Sequence, residues 1–263
     1  MSLSKFLSSH GQVEVRALLV GAMVALTAAV PARAGVEKPM ATKGFFDPLD
    51  TFDGSRWERS HGWSNGVGYG CGWQNDHVRF EDGTIALVLD RTPDRRTQIS
   101  CGEFRTHDYH HFGRFEVSMR AARGDGIISA FFIYTGPPFG DPWHETTIEI
   151  LGRDPTKVEF TLFIDGVPNG TIVDLGFDAS EDLHTYAIDW APDAIRWYVD
   201  GKLLHEDLAS ERTLPTAPGR IFANIWNNDG LRDLVTWSGR YPDDAAPAVA
   251  TLDWIRFTPM EAR

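Results

Sequence analysis

Apolar and polar positions change places in short bursts along this chain. Ile85–Asp90, Arg114–Arg120, Ile128–Tyr134, Lys157–Ile164, Thr185–Trp190, Ile195–Val199, Arg220–Trp226 and Thr251–Phe257 are five to eight residues each and rich in Val, Ile, Phe, Tyr and Trp. Such runs between turn-forming residues predict strands. Asp200-Gly201, between Trp-Tyr-Val and Lys-Leu-Leu, predicts a hairpin turn. No long stretch keeps a 3.6-residue period, so the pattern predicts an all-β sandwich or barrel. No internal repeat is present, and the proline-marked loops near Pro137-Pro138, Pro215–Pro218 and Pro242–Pro247 do not divide the domain.

Alternation also sorts side chains onto faces. In Lys157–Ile164, Val158, Phe160, Leu162 and Ile164 point one way, and Glu159, Thr161 and Phe163 the other. From Glu145 onward, Thr146, Ile148 and Ile150 are assigned to the core, leaving Glu145, Thr147 and Glu149 on the opposite face. Glutamates in a β segment need a reason, because strands deplete Glu and isolated buried charge is costly. A solvent-facing strand edge is one reason. A carboxyl pair is another, since Trp143 and the apolar Ile148, Ile150 and Leu151 surround the two. Glycosidases of the retaining class hold two carboxyls about 5–5.5 Å apart. Residues i and i+4 of a strand lie roughly 13 Å apart at Cα, a gap that side chains leaning together across a concave face largely close.

The ends and the composition narrow the picture. Lys5 and Arg16 precede an uninterrupted apolar run, Ala17–Val30, followed by Pro31 and Ala32-Arg33-Ala34. This predicts a signal peptide over residues 1–34, too short in its apolar part for a bilayer span. It implies a secreted protein, extracellular or periplasmic, with a flexible lead-in at 35–44 and a β domain at 45–263. The formal charge of −12 argues against nucleic acid or an anionic membrane as a partner. Cys71 and Cys101 are the only cysteines, and in an exported chain they read as a disulfide before a metal pair. Nine Trp residues exceed what core packing usually requires, and flat aromatics stack on sugar rings. Trp190, Trp197 and Trp254 fit core or cleft; Trp143, Trp226 and Trp237, beside polar residues, are the better cleft candidates.

Longer stretches carry a resemblance. WSNG at 63–66, CGEFRT at 101–106, FFIYTGP at 131–137, PWHETTIEILGRDPTKVEF at 142–160, LGFDASEDLHTYAIDWAPDAIRWYVDGK at 175–202 and NIWN at 224–227 resemble glycoside hydrolase family 16. Within it they are most similar to the bacterial lichenases (endo-1,3-1,4-β-glucanases) and to related exopolysaccharide-trimming β-glycanases. The resemblance implies a jelly-roll β-sandwich of two antiparallel sheets with an open concave cleft, acting on a polysaccharide as a monomer without a catalytic cofactor. It implies Glu145 as nucleophile and Glu149 as general acid/base. Asn65, Tyr69, Arg105, Phe132, Tyr134, Trp143, Thr147, Thr161, Phe163, Asn224, Trp226 and Trp237 fall where the family contacts sugar. Arg105 is placed to lower the pKa of a nearby carboxylate, which suits a nucleophile. Cys71 and Cys101 match the lichenase disulfide, and Pro48, Gly83 and Asp253 match positions around a structural calcium, or are turn and strand residues alone.

One departure stands out. The family motif is Glu-x-Asp-x-Glu, and here Thr147 takes the place of Asp. A threonine can donate a hydrogen bond to Glu145, but it cannot ionise or share a proton. Thr161 and Phe163 likewise stand where lichenases often have Asn and Tyr. Two functions therefore compete: a retaining endo-β-glycanase on a β-1,3/1,4-glucan or a succinoglycan-type exopolysaccharide, and a weakly active or inactive homologue that binds polysaccharide. Both glutamates favour the first, and Thr147 favours the second.

Overall fold

The computed structural model describes residues 38–261. The expected signal peptide lies outside the described residues. All eight expected strands form, most of them longer by a residue or more at their ends. Among the described residues there are seventeen strands, numbered β1 to β17 in chain order, and one short α-helix, α1 (Arg232–Ser238).

Two sheets divide the strands. The larger runs β15 (Lys202–Leu208), β14 (Ala194–Val199), β13 (His184–Trp190), β8 (Gly113–Arg120), β17 (Ala248–Pro259), β5 (Thr84–Asp90), β6 (Ser100–Cys101) and β3 (Gly72–Trp73). β1 (Phe45–Asp47) adds to β17, and β4 (Val78–Glu81) to β5. The smaller runs β12 (Val167–Asp174), β11 (Lys157–Ile164), β10 (His144–Leu151), β9 (Ile127–Thr135), β16 (Arg220–Asn227), β7 (Glu103–Thr106) and β2 (Trp57–Arg59). Its pairings are antiparallel throughout. In the larger sheet only the two-residue β3–β6 pair is parallel. This is a jelly-roll sandwich.

Hairpins follow from backbone chemistry. Asp82-Gly83, Asp165-Gly166 and Asp200-Gly201 all have positive φ at both residues, the twist-matched turn that Asp-Gly adopts at little cost. The core sits between the sheets. Ile148 and Ile150 of β10, Phe131 and Ile133 of β9, and Phe160 and Leu162 of β11 face Phe115, Val117, Tyr186, Ile188 and Trp197 of the larger sheet, all of them buried. Trp197, wholly buried, also donates its indole N–H to the main-chain oxygen of Thr147 at 3.1 Å. That bond ties β10 to the opposite sheet and satisfies a polar group the core would otherwise strand.

The described part of the lead-in is bonded to the domain. Ala41 N–H reaches Tyr109 O, and Tyr109 N–H reaches Pro39 O, each at 2.8 Å. Helix α1 was not foreseen, because seven residues are too few to show a helical period. It is held from outside, where Asn228 Nδ2 donates to Ser238 Oγ and Gly239 O, both at 2.7 Å. No helix among the described residues is long and apolar enough to cross a membrane.

Cys71 and Cys101 are bonded, closing a loop 30 residues apart in sequence. On the chain-entropy account a loop of that length stabilises the fold by about 3–4 kcal/mol. Replacing both cysteines by serine is expected to lower the denaturation free energy by that order. Equal chemical-denaturation midpoints for variant and wild type would contradict this.

Candidate active site

β10 is a central strand whose register to β9 and β11 has no irregularity over His144–Glu149. Its two-residue period therefore holds, and Glu145, Thr147 and Glu149 all point to the face turned away from the core. Cross-strand neighbours continue that face. Tyr134, Phe132 and Ala130 lie opposite them on β9, and Phe163, Thr161 and Glu159 on β11. On β16 the same rows hold Arg220, Phe222, Asn224 and, beyond Ala130, Trp226. β7 adds Arg105 and Glu103.

Glu145 is half-buried and accepts a 2.7 Å hydrogen bond from Trp143 Nε1. Trp143 is itself held, stacked on Phe163 with centroids 5.6 Å apart and meeting Tyr134 edge-on at 5.9 Å. The Asp165-Gly166 turn passes over its indole, where a Cβ on Gly166 would stand 3.2 Å from the ring. Burial, with the neighbouring Glu103 charge, pushes Glu145 up to about 8 against the opposing Trp143 bond. Burial, then the charges of Glu159 and Glu145, push Glu149 well above the carboxylate range. Two carboxyls so placed lose their protons in sequence.

Aromatic rings line the rest. Tyr69 stacks on Trp226 with centroids at 4.3 Å, and Trp226 meets Trp237 of α1 at 6.0 Å. Phe132 stacks on Phe222 at 4.9 Å. Burial, then the charges of Glu145 and Glu149, hold the Tyr69 hydroxyl protonated, and it sits beside the Asn65 side chain. Asn65 Oδ1 accepts from Trp73 Nε1 at 2.8 Å. Trp190 and Trp197 are core. Trp254 packs under Arg256 on the outside of the larger sheet.

Two expectations are corrected. Arg105 does not serve Glu145: it forms a fork to Glu58, with Nε and Nη2 at 3.2 and 3.1 Å, and Arg220 joins at 2.9 Å. Against the effect of burial, these two guanidinium groups hold Glu58 at about 2. β7 pairs with β2, so Arg105 lies directly opposite Glu58, a partner that short β2 gave little sign of. The hydrogen bond available to Thr147 is also not made: its Oγ1 is buried without a partner among the described residues. Thr147 lies between Phe132 and Thr161, neither of which engages it.

Three acidic residues on or beside this face were missed. Glu103, in the CGEFRT stretch, is buried and accepts from Ser60 Oγ at 2.6 Å and Asn224 Nδ2 at 3.0 Å. Glu159 accepts from Trp237 Nε1 at 2.6 Å, and Glu58 completes the Arg105 fork. Alternation within Lys157–Ile164 already put Glu159 on the right face. Glu103 had no such signal, because β7 is four residues long.

Register also gathers Pro48, Gly83 and Asp253. β1 ends on the Asp47–Ile255 pair, and β5 meets β17 at Ile85–Leu252. Asp253 lies between them, at an irregularity in β17. No cluster of three or more His, Cys, Asp or Glu side chains suited to a metal occurs among the described residues.

A jelly-roll sandwich with a paired-carboxyl, aromatic-lined face across its smaller sheet has the build of a β-sandwich glycosidase. The chain belongs to the glycosyl hydrolases family 16, whose model matches residues 65–256. It is 42% identical over 221 residues to a Beta-glucanase of Paenibacillus macerans, covering 83% of this chain and 90% of that protein. A Beta-glucanase of Bacillus subtilis is 42% identical over 216 residues, covering 81% and 86%. Among solved structures, the Bacillus licheniformis beta-glucanase superposes with a TM-score of 0.77 at 39% identity, covering 83% of this chain and 99% of that one.

Proposed function

We propose that this protein is a secreted, retaining endo-β-glycanase that cleaves a β-1,3/1,4-linked glucan or a succinoglycan-type exopolysaccharide. The observation that carries the reading is the pairing of Glu145 and Glu149 on one face of β10, in a chain 42% identical to beta-glucanases. The two carboxyls differ in the sense the chemistry needs. Glu145, pushed up to about 8, has the Trp143 N–H to favour its anion, whereas Glu149, pushed well above the carboxylate range, has no such donor. Glu149 protonates the glycosidic oxygen as the bond to the anomeric carbon breaks, and the Glu145 carboxylate attacks that carbon from the other side. Glu149, now ionised, takes a proton from water, which displaces Glu145 and regenerates both groups. Trp143 steadies the charge on Glu145, and Tyr69, Tyr134, Trp226 and Trp237 offer stacking faces and hydroxyls to successive sugars. No step requires a cofactor.

Thr147 supports a second reading, a polysaccharide binder with little turnover, since its hydroxyl replaces a carboxyl and engages nothing. Wild type, Glu145→Gln, Glu149→Gln and Thr147→Asp on one polysaccharide panel separate the two. Each glutamine variant is expected to lose about 10³-fold or more in turnover with its fold intact. Azide with an activated substrate should then give a β-azide from the Glu149 variant and an α-azide from Glu145→Ala. Wild-type turnover in either glutamine variant contradicts the assignment. Retained affinity without cleavage in both wild type and Thr147→Asp establishes the binder.

The Pro48, Gly83 and Asp253 corner is proposed as a structural calcium site that ties β1 and the β4–β5 turn to β17. Calcium at millimolar concentration is expected to raise the melting temperature above that in chelator, and Asp253→Asn to abolish the difference. Superimposable melting curves for wild type in the two buffers count against the site.

A further inference from the structure

The carboxyl absent at position 147 has a counterpart one strand away. Glu159 of β11 lies directly opposite Glu149 of β10, and side chains in such pairs project from Cβ atoms about 4.5–5.5 Å apart. Its position is built. Trp237 Nε1 donates to Glu159 Oε2 at 2.6 Å. On β12, Gly170 leaves room for the carboxyl: a Cβ there would stand 2.7 Å from Glu159 Oε1. Glu149, by contrast, receives no hydrogen bond among the described residues, and its surroundings only disfavour charge. Where two carboxyls share a site, the one with a donor ionises and the other keeps the proton.

We propose that Glu159 is a positioning residue for the proton donor: seated opposite Glu149 and anchored by Trp237, it carries the negative charge of the pair so that Glu149 stays protonated. This rests on the reading of Glu149 as the acid given above. It supplies from β11 the like-charge neighbour that Thr147 cannot supply from β10. The other charged groups on this face leave the arrangement standing. Glu145 on β10 and Glu103 on β7 add negative charge. Arg105 on β7 is committed to Glu58, and Lys157 on β11 to Asp154 at 2.6 Å. β9 and β16 present the neutral Ala130 and Asn224 to the same row, and the Tyr69 hydroxyl stays protonated.

The test is a carbon-13 carboxyl NMR titration of Glu149 in wild type and Glu159→Gln, paired with the alkaline limb of kcat/KM. In Glu159→Gln the Glu149 midpoint is expected to fall by about one pH unit or more, a tenfold change in its protonation equilibrium. The alkaline limb should fall with it while KM stays within about twofold, and Glu159→Asp should restore part of the shift. Trp237→Phe, which keeps the carboxyl but removes its donor, should lower the Glu149 midpoint in the same direction and serves if Glu159→Gln does not fold. An unmoved Glu149 midpoint, or a change in KM alone, overturns the proposal even in an active enzyme. A shifted midpoint in a protein that cleaves no polysaccharide upholds the carboxyl coupling and overturns the reading of Glu149 as a catalytic acid.

Discussion

The unbroken two-residue period of β10, clamped between β9 and β11, governs the chemistry of this face. A slip of one residue would send Glu145, Thr147 and Glu149 into the core and bring Thr146, Ile148 and Ile150 out. Burial of Ile148 and Ile150 against the larger sheet opposes that slip, and the Trp197 bond to Thr147 O locks the strand at its midpoint. Packing on one side thus places carboxyls on the other, and the aromatic rows of β9, β11 and β16 follow by register alone.

That placement has an electrostatic cost. Glu103, Glu145, Glu149 and Glu159 share a partly desolvated face, and burial raises all four. Arg105 lowers only Glu103 in part, and no guanidinium relieves the other three, because Arg105 and Arg220 converge on Glu58 at the edge. Glu145 is therefore stabilised as an anion mainly by one indole N–H. Its folded pKa, about 8, exceeds the ordinary glutamate value of 4.5 that it has in the unfolded chain. Its share of stability is present in full below that unfolded value and is lost as pH rises through about 8. A site that spends stability to separate protonation states is what proton-transfer chemistry requires.

Much of this was legible beforehand, for physical reasons. Long, strongly alternating runs such as Lys157–Ile164 declare both strand and face, so the sandwich and the common face of Glu145, Thr147 and Glu149 follow from the pattern. Short strands do not. β2, β6 and β7 have two to four residues, too few to show a period, and that is why Glu58 and Glu103 went unseen and the carboxylate that Arg105 lowers, Glu58 rather than a nucleophile, was not identified. Helix α1 escaped for the same reason, and with it the bond from Trp237 to Glu159. Composition counted the tryptophans, but only packing separates Trp197, sealed in the core, from Trp143, whose indole holds a carboxyl.

The central claim is that Glu145, raised by burial yet the one of the pair with a hydrogen-bond donor, carries the nucleophilic charge. The pH dependence of kcat/KM on an accepted β-glucan tests it directly, since that profile reports groups of the free protein. The account predicts an acidic limb with a midpoint near 8, absent in Glu145→Gln because that variant does not turn over. An acidic limb near the ordinary carboxylate value, about 4.3, would contradict it.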